Sequence, residues 1–109
     1  MRYLCMAIHY PRPEYRDDLL RLMRRVNAVL RDQPGLLQLG DFDDAAQGRI
    51  IAVSVWESAA HFRAGWPQAA TALAEARYDL WETRPLEFIA SDEIAETAAP
   101  DERRGSPPA

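Results

Sequence analysis

At 109 residues, 48% hydrophobic and 28% charged, the chain has material for one core and not two. Net charge is −4 and all 13 basic residues are Arg, so no positive surplus exists to meet phosphates, which argues against a nucleic-acid partner. The lone Cys5 rules out an internal disulfide and a cysteine metal site and suits a reducing cytoplasm, while the apolar run Tyr3 to Ile8 is too short for a signal-peptide core or a membrane span.

Arg2 to Tyr10 reads as a first strand, with Tyr3, Cys5, Ala7 and His9 on one face and Leu4, Met6, Ile8 and Tyr10 on the other. Neither is a face for water. Pro11 and Pro13 stop the strand and start a helix, with Glu14, Asp17 and Asp18 favouring its dipole. At about 100° per residue, Tyr15, Leu19, Leu22, Met23, Val26, Val29 and Leu30 form one apolar stripe. The other side carries Arg16, Arg21, Arg24, Arg25 and Arg31. An anion-binding row is one reading of it, but Asp17 and Asp18 lie at pairing distance from Arg21, as on an ordinary solvated face. Gln33, Pro34 and Gly35 end the helix.

Leu36 to Asp43 is a second strand, with a bulge or close approach expected at Gly40. Asp44 to Gly48 turns into a third, Ile50 to Trp56, apolar at every position except Ser54. Ser58 stands where an N-cap belongs. The helix it starts is expected to run from Ala59 to about Asp79, broken or kinked at Pro67. Phe62, Trp66, Ala69, Leu73 and Leu80 share one side of it; His61, on the other, is expected to face solvent. Arg84 to Ala90 is a last strand whose Pro85 suits an edge. The domain is therefore placed at 1–91, with 92–109 a disordered tail.

This order predicts an α+β domain: a ferredoxin-like βαββαβ chain with a four-stranded antiparallel sheet and both helices on one face. Four strands make a sheet about 19 Å wide, which two helices cover on one side only. The first and third strands are apolar on both sides, so a second copy of the chain is expected on the other face, as a homodimer. Cys5, Ala7, Ala52 and Ser54 are small residues on two neighbouring strands. They predict a cavity under the helices, walled by Tyr3, Cys5, Ala7, His9, Ala52, Ser54, Trp56, Phe62 and Trp66. The alternative is that Leu19, Leu22, Trp66 and Leu73 fill that space.

PGLLQLGDF, GRIIAVSVWES and the AAHF after it resemble the antibiotic biosynthesis monooxygenase family of dimeric α+β barrels, over about Arg2 to Ala90. The resemblance implies that fold, and one of several activities. Haem-degrading members carry an Asn on the first strand and a His on the second helix; Ala7 and Glu75 or Ala76 stand there, so haem degradation is not expected. Trp66 lies close to those enzymes' active-site Trp. Polyketide-oxidising members carry an Asn four before the strand-three Trp, a Tyr six after it and a later Arg. Ala52, Phe62 and Arg77 stand there, so only Trp56 and Arg77 match.

The activity so implied is monooxygenation of a quinol or polycyclic phenol with no metal or flavin cofactor. Such chemistry needs a proton acceptor beside a dry pocket. His9 is the candidate for that role, against a purely structural strand His. Trp56 stacks on a planar ring or plugs the core. Arg77 holds an anionic oxygen or pairs with Asp79 or Glu82. The competing class is a non-catalytic dimeric domain that binds a small aromatic ligand or only assembles.

Overall fold

A computed structural model describes residues 1–98 of the chain. The elements are β1 (Tyr3–His9), α1 (Arg16–Leu30), β2 (Leu36–Asp44), β3 (Arg49–Trp56), α2 (Ala59–Gly65), α3 (Ala70–Leu73), α4 (Tyr78–Trp81) and β4 (Glu87–Asp92). The four strands form one antiparallel sheet in the order β2-β3-β1-β4, the ferredoxin-like α+β arrangement.

The apolar stripe of α1 meets one sheet face. Leu19, Leu22, Met23, Val26 and Leu30 are buried there with Ile50, Trp56, Ala69 and Trp81. Its Arg side is an ordinary charged face: Arg16 pairs with Asp43, Arg21 with Asp18 and Arg25 with Glu75. Trp56 is wholly buried, and its indole N–H donates to Ser54 Oγ at 2.9 Å. That bond explains a serine in an otherwise apolar strand, since a buried indole N–H without a partner would be costly. Trp56 also requires Gly65, where an added Cβ would lie 2.7 Å from its ring.

Several boundaries differ from the sequence reading. The break after α2 falls at Pro67 as expected, inside a 3-10 turn over Trp66–Ala69, but the helical segment then breaks a second time before α4. That second break lets Trp81 bury itself and returns the chain to the end of β1. The irregularity in β2 lies between Leu36 and Gln38, whereas Gly40 pairs regularly with Val53. Ser58 does cap α2, accepting from the His61 amide at 3.2 Å. His61 faces solvent in part, its side chain 41% exposed, while its Nδ1 lies 2.7 Å from Ser58 Oγ. Its ring also packs where a side chain at Gly35, with φ +84°, would have to go. β4 begins at Glu87 and extends to Asp92, which pairs with Tyr3, and Ala95–Thr97 forms a 3-10 turn. The chain is thus ordered past the expected boundary at 91; residues 99–109 of the expected tail lie outside the described residues.

Candidate functional site

In the sheet, Cys5 lies opposite Ser54 and Ala7 opposite Ala52. These four small side chains sit on the helix-facing side in the two central strands and leave a gap beneath α1 and the segment after α2. The gap is a cavity of about 250 Å³. Met23, Val26 and Leu30 of α1 line it, with Leu39, Leu73, Leu86 and Phe88. Leu19 and Leu22 go to the core, and Trp66 and Leu73 wall the space without filling it.

Of the residues singled out above, Cys5, Ala7, His9, Ala52, Ser54 and Trp66 meet around this cavity. Tyr3, Trp56 and Phe62 lie behind its wall. Phe62 packs on Tyr3, with ring centroids 5.2 Å apart, and stacks on Trp66 at 5.8 Å. Trp66 in turn contacts Phe88 at 5.8 Å, so this aromatic run fixes the ring that the cavity sees. Arg77 is not at the cavity. Its side chain is 63% exposed and lies 3.8 Å from Asp79.

His9 closes one end. Its Nδ1 lies 2.7 Å from Oε2 of Glu82, while Oε1 of the same carboxylate accepts the Tyr10 amide at 2.8 Å. His9 and Glu82 are only 4% and 5% exposed. A carboxylate can only accept, so Nδ1 carries the proton and Nε2 is the free ring nitrogen. Every fully buried side-chain polar atom among the described residues has a partner. Nε2 has none, and therefore reaches open space.

Backbone pairing delivers Glu82 to this place. The Arg12 amide donates to the Trp81 carbonyl at 2.7 Å and the Thr83 amide to the Tyr10 carbonyl at 2.9 Å, so the chain leaving α4 lies antiparallel to the end of β1. Nothing in the spacing of the sequence announces this. The available signal was physical: a histidine on an apolar strand needs a buried polar partner.

Other polar groups missed in the sequence also line the cavity. Tyr78 packs 5.4 Å from the His9 ring, and its hydroxyl has no partner among the described residues. Burial and, secondarily, the nearby Glu82 push that phenol up to about 12, so it stays a neutral donor. Burial pushes the Cys5 thiol up to about 11 against the lowering effect of its bond to Ser54, so it is no nucleophile at neutral pH. On β2, Asp41 reaches the rim and accepts from Asn27 Nδ2 at 2.8 Å. Desolvation raises its pKa, offset in part by the Asn27 bond and by His9. Among the described residues no cluster suited to a metal ion occurs, and no helix is long and apolar enough to cross a membrane.

Comparison with known proteins matches this architecture. The sequence profile of the family described as antibiotic biosynthesis monooxygenase matches residues 2–72. No curated protein sequence matches. Among solved structures, Rv0793 from Mycobacterium tuberculosis is 19% identical with a TM-score of 0.74, over 90% of this chain and 100% of its own. PA3566 from Pseudomonas aeruginosa is 14% identical with a TM-score of 0.69, over 86% of this chain and 95% of its own. A variant of SnoaB, described as a cofactor-independent oxygenase from Streptomyces nogalater, is 18% identical with a TM-score of 0.65, over 92% of this chain and 98% of its own. At these identities the likeness is one of fold.

Proposed function

The chain belongs to the antibiotic biosynthesis monooxygenase family, and from that membership and its cavity we propose that it is a cofactor-independent monooxygenase acting on a small phenol or quinol. The observation that supports this most is the buried His9–Glu82 pair, which presents one free imidazole nitrogen to an otherwise apolar cavity. Such an arrangement takes a proton from a bound hydroxyl and holds the resulting charge out of water. A cavity of about 250 Å³ falls just below the usual range for drug-sized ligands, about 300–1,000 Å³, and favours one or two fused rings over larger polycyclic frameworks.

In this reading the phenolic O–H meets Nε2 of His9, and the proton passes to it. Glu82 stabilises the imidazolium and keeps the ring oriented. Tyr78 donates to the phenolate oxygen, and Trp66 packs against the ring. Dioxygen, itself apolar, shares the cavity with the anion. One of its oxygen atoms replaces a ring hydrogen and becomes a carbonyl. The other leaves as water with that hydrogen and the phenolic proton. Phenol plus dioxygen thus gives quinone plus water, with the substrate supplying the electrons.

The same reading makes the protein a cytoplasmic homodimer. On the sheet face away from the helices, Leu4, Met6, Ile51, Val53 and Val55 are only partly covered, and Phe42 and Ile89 are 55% and 41% exposed. An apolar face of this extent fits a second copy of itself. Oxygen-electrode measurements with a panel of naphthols and quinols test the activity. Uptake of one dioxygen per substrate, lost in His9→Gln, is expected. No uptake across the panel, with binding retained, would leave a ligand-binding domain instead.

A further inference from the structure

Three carboxylates lie close together on β2, and they are not treated alike. Asp43 has Arg16 at 3.1 Å and Asp44 has Arg49 at 2.7 Å. Among the described residues Asp41 has no Arg partner; its one hydrogen-bond partner is the neutral amide of Asn27. It is also the one of the three that lines the cavity.

The register shows where it stands. Asp41 pairs with Ala52, Ala52 with Ala7, and Ala7 with Phe88, so these four make one row across the helix-facing side of the sheet. The row is polar at the β2 end, aromatic at the β4 end, and without bulk between. Asp41 and Ala7 are two strand spacings apart, about 10 Å, which leaves the width of a flat ring over Ala52. His9 lies two residues along β1 from Ala7, about 7 Å further on. Two acceptors therefore face the same space, the free nitrogen of His9 and the uncommitted oxygen of Asp41. A molecule that satisfies both brings two donors.

We propose that Asp41, held by Asn27, is a second anchor that selects aromatic diols over aromatic alcohols with one hydroxyl: one O–H donates to His9 and the other to Asp41. This rests on the reading of the cavity as a phenol or quinol site, and it names the residue that discriminates within that class. It also gives a route to product release. Monooxygenation of the diol, with one oxygen atom entering the ring and the other leaving as water, gives a hydroxyquinone with one hydroxyl in place of two, so only one of the two acceptors, Asp41 or the His9 nitrogen, still has a donor facing it.

The test is a pair of binding titrations without oxygen, using 1,4-dihydroxynaphthalene and its mono-methyl ether and following tryptophan fluorescence. The wild-type protein is expected to bind the diol about tenfold more tightly than the ether. Asp41→Ala, at an exposed rim position, is expected to weaken the diol to the level of the ether and leave the ether unchanged. Equal affinities in the wild type, a preference kept in Asp41→Ala, an equal loss for both probes, or no binding of either would overturn the proposal. Oxygen uptake measured on the same samples separates the two readings: a diol preference without uptake removes the oxygenase and keeps the anchor, and uptake without a preference does the reverse.

Discussion

Glu82 Oε2 lies 2.7 Å from His9 Nδ1, 73 positions away along the chain, and its second oxygen is fixed by the Tyr10 amide at 2.8 Å. Both oxygens are thus committed, so the carboxylate has one position and the imidazole one orientation. Glu82 acts through His9, as a positioning residue. Glu82→Gln keeps the shape but removes the charge that stabilises the imidazolium. In steady-state oxygen uptake it should lower kcat about 100-fold or more while KM changes little, by analogy with other carboxylate-backed histidines. An equal rise in KM with unchanged kcat would show that the pair serves binding alone.

The same pair carries stability. The Glu82 carboxylate is buried and held by the His9 N–H and the Tyr10 amide, so removing His9 leaves a buried charge short of a partner, at about 3–5 kcal/mol. His9→Leu should lose that much in urea unfolding, and adding Glu82→Leu should recover part of it, since the orphan charge is then gone. The recovery is incomplete because the Tyr10 amide also loses its acceptor. Additive losses in the double variant would contradict a coupled pair.

Trp56 and Gly65 form a close contact whose removal from either side is costly. Trp56→Ala should cost about 3–5 kcal/mol, because the ring is wholly buried and supported by Ser54. Gly65→Ala should cost about 1–3 kcal/mol by overpacking against the Trp56 ring. Thermal unfolding measures both. An unchanged melting temperature in Trp56→Ala would mean that the side chain borders open space.

Alkaline pH should weaken the fold in a defined window. The folded state holds the Cys5 proton up to about 11, against an ordinary 9.0, and the Tyr78 proton up to about 12, against 10.0. Burial is the main cause of each. Both groups are neutral when protonated, so their contribution is complete below about pH 9 and falls as pH rises through 11 and 12. At about 1.4 kcal/mol per pKa unit, each shift sets an upper limit of roughly 3 kcal/mol. Urea midpoints at pH 7 and pH 10.5 test this. Cys5→Ala should show a shallower fall than the wild type, and an identical slope would contradict the assignment.

The uncovered sheet face predicts the oligomeric state. Light scattering at micromolar concentration should give twice the chain mass of 12.4 kDa. The double substitution Phe42→Asp/Ile89→Asp puts charges on two exposed apolar positions, and should halve that mass without unfolding the protomer. A wild-type monomer would mean that the face meets water or some other partner.

The parts of this molecule that repeat were legible in its sequence, and the parts that depend on distant pairing were not. Alternation along β1 and β3 sorted their residues onto faces, which placed Cys5, Ala7, Ala52 and Ser54 in one patch before any register was known. Ser58 announced a cap because N-capping is local. Glu82 could not be found this way: it follows a short helix, and its partner lies on the first strand. Asp41 shares a charged stretch with Asp43 and Asp44, and only the register and the two nearby Arg residues set it apart. Glycine permits an irregularity at Gly40, but the one in β2 occurs between Leu36 and Gln38, at the entry to the strand, where side-chain type gives no signal. Position along the chain matches Arg77 and Trp56 to family residues but not their surroundings: the helix is broken after Pro67 and Arg77 points to solvent.

The central claim is that the cavity removes a proton from a bound phenol at His9, and the absorbance of that phenol reports it directly. A naphthol mixed with the protein under nitrogen, at a pH below its own pKa, should show the red-shifted phenolate band with wild-type protein. The band should weaken in Glu82→Gln and vanish in His9→Gln. A bound naphthol that keeps its neutral spectrum in the wild type, or a phenolate band that survives in His9→Gln, would contradict the account.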